Sequence, residues 1–167
     1  MSEPNVPGAS HAGQVNAGSR FVAVYASDPE VQNAPGVETE FNAGGNYIDR
    51  AAYGMPLSVQ FAYPLHLIIA SGESVVVRTL VRDAAPEDPD DPLSSVPGSF
   101  ADYFEPEDVT IYADSGDSID HMIRVNVDLA GARRFIKMDI AVVVPASGEA
   151  SYAGVAVLGG QEYAPSF

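Results

Sequence analysis

The residues best suited to chemistry are three histidines, His11, His66 and His121. They are far apart in the chain. None belongs to an HExxH pattern and none has an adjacent histidine, so the spacing offers no zinc site and no paired acid–base couple. His66 falls in an apolar stretch and His121 at the start of an alternating one, which suits ordinary core or surface histidines. Serines are plentiful, yet no GxSxG elbow raises one as a nucleophile. The chain has no cysteine, which removes disulfides, thiolate catalysis, zinc fingers and iron–sulfur clusters.

The carboxylates are more numerous than organised. Asp114, Asp117 and Asp120 stand three apart in a glycine-containing turn and could offer hard oxygen ligands to calcium. An EF-hand needs oxygens at alternate positions and a closing Glu, so a solvated turn is the better reading. Prolines interrupt the run Glu87 to Asp91 and hinder its convergence on one ion. Glu105 and Asp108 are a conceivable glycosidase pair, but that mechanism depends on a separation no sequence gives. There is also no tryptophan for a sugar platform. Gly44-Gly45 belongs to neither GxGxxG nor GxxxxGK[ST]. The sequence therefore predicts no catalytic residue, no metal and no cofactor.

Charge carries the clearest remaining signal. With 8 basic and 23 acidic residues the net charge is −15, which disfavours direct binding to a nucleic-acid backbone. Four of the 8 bases, Arg124, Arg133, Arg134 and Lys137, flank the small turn Ala130-Gly131-Ala132. Arg133 and Arg134 suit an ion pair with acidic residues of the same chain or of a neighbouring subunit. Between Asp83 and Asp120 lie 12 of the 23 acids and 5 of the 13 prolines, without a single Lys or Arg. This composition predicts a long acidic surface loop over about 83–120, pinned by Phe100, Tyr103 and Phe104 and holding a short strand at Val109 to Tyr112.

The elements that must position these residues are strands. From His121 to Gly160 the pattern is most regular. Ile123, Val125, Val127 and Leu129 alternate with Arg124, Asn126 and Asp128. After the turn, Ile136, Met138, Ile140, Val142 and Val144 alternate with Lys137 and Asp139. After Pro145 to Gly148, Ala150 to Leu158 makes a third run. Period two marks strands with one buried and one wet face, and the short turns predict an antiparallel meander. Upstream, Arg20 to Tyr25 and Val37 to Phe41 are short strand candidates. Pro56 to Tyr63 and Leu65 to Ala70 are apolar and split by Pro64, which argues for an edge, a bulge or a strand boundary. Leu65 to Ala70 and Ser74 to Arg82 read as a hairpin across Ser71-Gly72-Glu73.

These features predict an all-β fold, an antiparallel β-sandwich or jelly roll. Residues 1–19, rich in Pro, Gly, Ala and Ser, read as a flexible or partner-ordered N-terminal arm, and 20–167 as the sandwich domain. No stretch is long and apolar enough for a membrane span, and Met1 to Gly13 has no signal-peptide character. A cytoplasmic origin is the simplest expectation.

Four segments resemble a known family. They are LHLIIASGESVVVRTLVRDA at Leu65 to Ala84, Phe100-Ala-Asp-Tyr103, VDLAGARRFIKMDI at Val127 to Ile140, and the closing AVLGG with Pro165 nearby. Together they are similar to small structural proteins encoded beside the major capsid gene of tailed bacteriophages. The resemblance covers about 100 residues and not the first 50, and the acidic stretch between Asp83 and Ser99 departs from it. It implies a capsid decoration (cement) protein on the virion exterior, made in the host cytoplasm. It also implies the major capsid protein as partner, a homotrimer or other homo-oligomer, no nucleic acid, no membrane and no enzymatic activity. Within that reading the expected contacts are the arm with Arg20 and the Arg133-Arg134 turn. The alternative is a ligand- or glycan-binding module of a head fibre, neck or tail, with Tyr47, Tyr53, Tyr103 and Tyr112 as its aromatic surface.

Overall fold

The computed structural model describes residues 22–32, 46–91, 94–114 and 118–161. The arm at 1–19, Arg20, His11, the strand candidate Val37 to Phe41, Asp117 and the aromatic tail residues Tyr163 and Phe167 lie outside them. The chain forms β1 (Val22–Gln32), β2 (Ile48–Asp49), a 3-10 turn (Arg50–Tyr53), β3 (Pro56–Ile68) and β4 (Ser74–Ala84). It continues through β5 (Ala101–Phe104), β6 (Val109–Tyr112), β7 (Ser118–Asp128), β8 (Phe135–Val143) and β9 (Glu149–Gln161).

Two antiparallel sheets face each other. One runs β1-β9-β3-β7 and the other β2-β8-β4-β5, with β6 also on β4. The pairing is nested: β1 with β9, β2 with β8, β3 with β7, and β4 with both β5 and β6. Nested antiparallel pairing shared between two sheets is jelly-roll connectivity, so the expected fold class holds.

Two expected pairings do not. The strands of His121 to Gly160 form where the period places them, but β8 lies in the opposite sheet from β7 and β9, so there is no meander. Likewise β3 and β4 are not a hairpin. The turn between them, with Gly72 at φ +85°, carries the chain across the sandwich, and it is stitched to the end of β6 by Gly72 N–H to Ala113 O (2.8 Å) and Ala113 N–H to Glu73 O (3.0 Å). A short turn reverses the chain equally well within a sheet or between two, and here burial on both inner faces decides.

The odd residues of β3 (Val59, Phe61, Tyr63, Leu65, Leu67) point inward and meet Val75, Val77 and Val81 of β4 and Ile136, Met138, Ile140 and Val142 of β8. Each such side chain contributes roughly 1.5–3 kcal/mol by leaving water. Tyr63 buries its ring and donates its hydroxyl to Met138 O (3.3 Å), which ties the two sheets together.

Pro64 does not break its strand. β3 runs through it as a central strand, with unbroken register to β7 from Ser58↔Asp128 to Ile68↔Ser118. On the β9 side the paired positions step from Ala62↔Val155 to Leu65↔Tyr152. The missing proline N–H therefore faces β9, where the ladder has its gap.

The acidic stretch 83–120 is not one loop. Asp83 and Ala84 end β4, β5 and β6 pair with β4, and β7 begins at Ser118. Only the part before β5 is a true excursion, cross-linked at Pro86↔Pro97 and by Glu87 N–H to Val96 O (2.9 Å). Phe100 and Tyr103 pin it as expected, but Phe104 is exposed.

Candidate functional site

Among the described residues, the outer faces of the two sheets differ in their charge chemistry. On the five-stranded sheet the register places Arg82 of β4 between Lys137 of β8 and Asp102 of β5. Lys137 Nζ lies 3.0 Å from one oxygen of Asp139 and Arg82 Nη1 lies 3.2 Å from the other. Arg82 Nε also donates to Asp102 (2.9 Å). Lys137 sits 5.1 Å from the centroid of Phe100, which covers it from the excursion. The sequence pattern assigns Lys137 and Asp139 to a wet face. The structure corrects this: Asp139 is 0% and Lys137 8% exposed. Both Asp139 oxygens are within ion-pair distance, although neither meets hydrogen-bond geometry. Their partnership is Coulombic at close range in a dry environment.

The Arg133-Arg134 turn is engaged within the chain. Arg133 donates from its backbone N–H and from Nε to the two oxygens of Asp83 (2.8 Å each), and from Nη2 to Asp83 O (2.8 Å). Arg134 grips Asp49 with two bonds (2.8 and 2.7 Å) and lies 5.0 Å above the Phe135 ring. The hydrogen bond to Asp83 holds the Arg133 pKa above its ordinary value against the opposing effect of burial, and Asp49 does the same for Arg134. These are fork-type pairs that fix a turn.

Sequence reasoning missed Arg50. It is 2% exposed, on the 3-10 turn that Asp49 caps. Its guanidinium donates to the carbonyls of Ala132, Arg133 (3.0 Å), Pro56 (2.8 Å) and Leu129 (2.9 Å). It thereby satisfies the backbone of the β7–β8 turn from beneath. Nothing in its local sequence marks it, because three of its four carbonyl partners lie some 80 residues away.

The outer face of the four-stranded sheet is open. A shallow groove of ≈ 790 Å³ runs over Pro64, His66, Met122, Arg124, Ser151 and Ala153. Met122 is 39% exposed. Among the described residues, Arg124 is the one Arg or Lys side chain without a polar partner. The expected basic cluster is therefore divided: Arg124 lies on this face, and Arg133, Arg134 and Lys137 are consumed elsewhere.

The register also aligns Ser151, His66 and Asp120 in one row across β9, β3 and β7. His66 Nδ1 and Asp120 are 2.8 Å apart. The order of residue types is that of a hydrolase triad, but its surroundings do not supply the rest of the chemistry. Asp120 has an 87% exposed side chain, and no hydrogen bond joins Ser151 to His66. Oxyanion stabilisation needs preorganised donors at the reacting carbonyl, whereas Ser151 stands on β9, a strand paired on both sides, so the backbone N–H groups around it are spent in the ladders to β1 and β3.

His121 is exposed beside this row, and His11 lies outside the described residues. Among the described residues no three His, Asp or Glu side chains gather as a cation cage. The aromatic surface expected of a glycan site is dispersed: Tyr47 packs edge-on against Phe135 (5.7 Å) and Tyr103 donates to Asp128 O (2.8 Å). Tyr53 leans on the core, and Tyr112 stands 68% exposed on β6. Among the described residues no helix is long and apolar enough to cross a membrane.

No family model and no curated protein sequence matches the chain. Among solved structures it is similar to a chain in the structure of the infectious bursal disease virus Gx strain. The identity is 14% and the TM-score 0.39, over 87% of this chain and 34% of that one. The chain thus spans about a third of the length of that viral protein.

Proposed function

We propose that this chain is a non-enzymatic structural protein of a virus particle, a decoration protein that binds the outer surface of a capsid built from a major capsid protein and stabilises the shell. The observation that carries the reading is the division of labour between the sheet faces. On one face β8 is buried beneath internal ion pairs and the excursion before β5, and the other is regular and open, with Met122 and Arg124 exposed among polar side chains. A jelly roll admits capsid, lectin and enzyme roles alike, so the fold alone does not select among them. The four segments resembling tailed-phage structural proteins supply the choice of particle. Many weak contacts repeated over a symmetric shell suffice for firm attachment.

Arg133 and Arg134 spend their charge inside the chain, so the favoured contact surface is the outer face around Pro64, Met122 and Arg124. The arm at 1–19 with Arg20 remains a second proposed contact. Quantitative mass spectrometry of purified particles tests the reading. Copies in a large fixed ratio to the major capsid protein support decoration, and absence from particles overturns it. A handful of copies would instead support the second reading, a glycan- or ligand-binding module of a neck, tail or fibre. The groove is the observation that favours that reading, and glycan-array binding lost in Met122→Glu would support it.

A further inference from the structure

A sheet has two edges, and an exposed edge is a template for another strand unless it is blunted. Among the described residues, three of the four sheet edges are blunted. β2 has 2 residues and pairs only Phe135 and Ile136 of β8, whose remaining residues to Val142 are buried, and β5 and β6 have 4 each and divide one side of β4 between them. β1 contains Pro29, and its register to β9 shifts between Tyr25 and Ser27 and again between Ser27 and Glu30. The fourth edge is β7. It has 11 residues in unbroken register with β3, and among the described residues nothing pairs with its other side.

The hydrogen-bonding direction of that edge follows from Pro64. Its nitrogen faces β9, so Pro64 and the opposing Met122 form a non-hydrogen-bonded pair across β3 and β7. Met122 therefore turns its N–H and C=O away from β3. With period two, so do Ser118, Asp120, Arg124, Asn126 and Asp128. The same even-numbered residues place their side chains on the open outer face.

We infer that β7 pairs with β7 of a second copy, antiparallel about a two-fold axis at Met122, joining the two four-stranded sheets into one. The sequence of the edge is self-complementary in this register. Met122 meets Met122, and Asp120 meets Arg124 of the second copy on either side of the axis. Ser118 meets Asn126 beyond them. Facing the core, Ile119 meets Val125. Antiparallel self-pairing of this kind is an isologous contact that closes on itself, and directly opposed unlike charges favour it. It gives Arg124 the carboxylate it lacks among the described residues of its own chain. Asp120 keeps its contact with His66, because a carboxylate accepts several hydrogen bonds. The inference stands apart from the particle reading, since a two-fold dimer is compatible with either proposed role.

Charge reversal tests it on the full-length protein, by light scattering after size exclusion at micromolar concentration. The expected result is twice the chain mass for the wild type, a monomer for Arg124→Asp and for Asp120→Arg, and a dimer again when both substitutions are combined. Restoration by the double variant separates pairing from misfolding. The chain has no cysteine, so Met122→Cys adds a lone thiol on the axis. The Cα spacing of a hydrogen-bonded antiparallel pair lies within disulfide range. Mild oxidation should cross-link Met122→Cys and leave Val109→Cys, on β6, uncrosslinked. A monomeric wild type overturns the inference. So does a trimer, or a dimer that neither single reversal disturbs. A monomer whose β7 amides are nonetheless protected from hydrogen exchange also overturns it, and shows that another segment of the same chain covers the edge.

Discussion

The two outer faces of this sandwich are built on the same pleat yet reach opposite ends. Over the five-stranded sheet, charges face one another and the excursion before β5 closes over them, so that β8 is buried on both sides, from Phe135 to Val142. Over the four-stranded sheet, β7 alternates buried and exposed residues, and Met122 and Arg124 are left to solvent. The difference teaches that charged residues in strands do not by themselves mark the wet or working face. In a chain of net charge −15, most of the scarce cations have been spent on internal architecture. The exception among the described residues, Arg124, lies on the face that is open to a partner.

Breaking the sealed face should be the most costly change. Asp139→Ala leaves Lys137 buried without its nearest carboxylate and should destabilise the fold by about 3–5 kcal/mol, read as a drop in urea midpoint at unchanged slope. Next, Arg50→Met removes the donors to three carbonyls of the β7–β8 turn and one at the start of β3. It should cost about 3 kcal/mol, since buried acceptors left unmatched lose roughly 1–3 kcal/mol each and some regain water. Gly72→Ala places a Cβ where there is open space but forces φ +85° on an L residue, so a loss of about 1 kcal/mol is expected. Arg78→Ala removes a 3.2 Å pair with Asp108 whose partners are 40% and 50% exposed. Its effect should be at most about 0.5 kcal/mol. Smallest of all for stability is Met122→Gln, within about 0.5 kcal/mol, although it should weaken self-association and particle binding. If Asp139→Ala proved as mild as Arg78→Ala, the sealed face would be no different from the rest of the surface.

Much of the fold was legible, but its wiring was not. The alternation of Ile123, Val125 and Val127, and of Val75, Val77 and Val81, named both strands and their inner faces, because burial on one side imposes period two. The same alternation is silent on which strand sits beside which. Thus Leu65 to Ala70 with Ser74 to Arg82 looked like a hairpin although the two belong to different sheets. The pattern also could not show that Lys137 lies beneath Phe100 or that Asp139 is buried between Lys137 and Arg82. That cover arrives from an excursion whose acidity suggested only solvent. Of the expected contact residues, Arg133 and Arg134 find partners in Asp83 and Asp49, one taken for loop and the other unremarked. Ser151, His66 and Asp120 are brought into one row by register alone, across separations no motif spans. The groove and the open edge are likewise products of register and of one proline nitrogen.

Hydrogen exchange by mass spectrometry, compared between dilute and concentrated protein, tests the central claim that the four-stranded sheet presents the working surface. The account predicts that β7 amides gain protection with concentration, centred on Met122, while β5 and β6 exchange at an unchanged rate. Protection gained on β5 and β6 with β7 unaffected would contradict it and assign the interface to the sealed face.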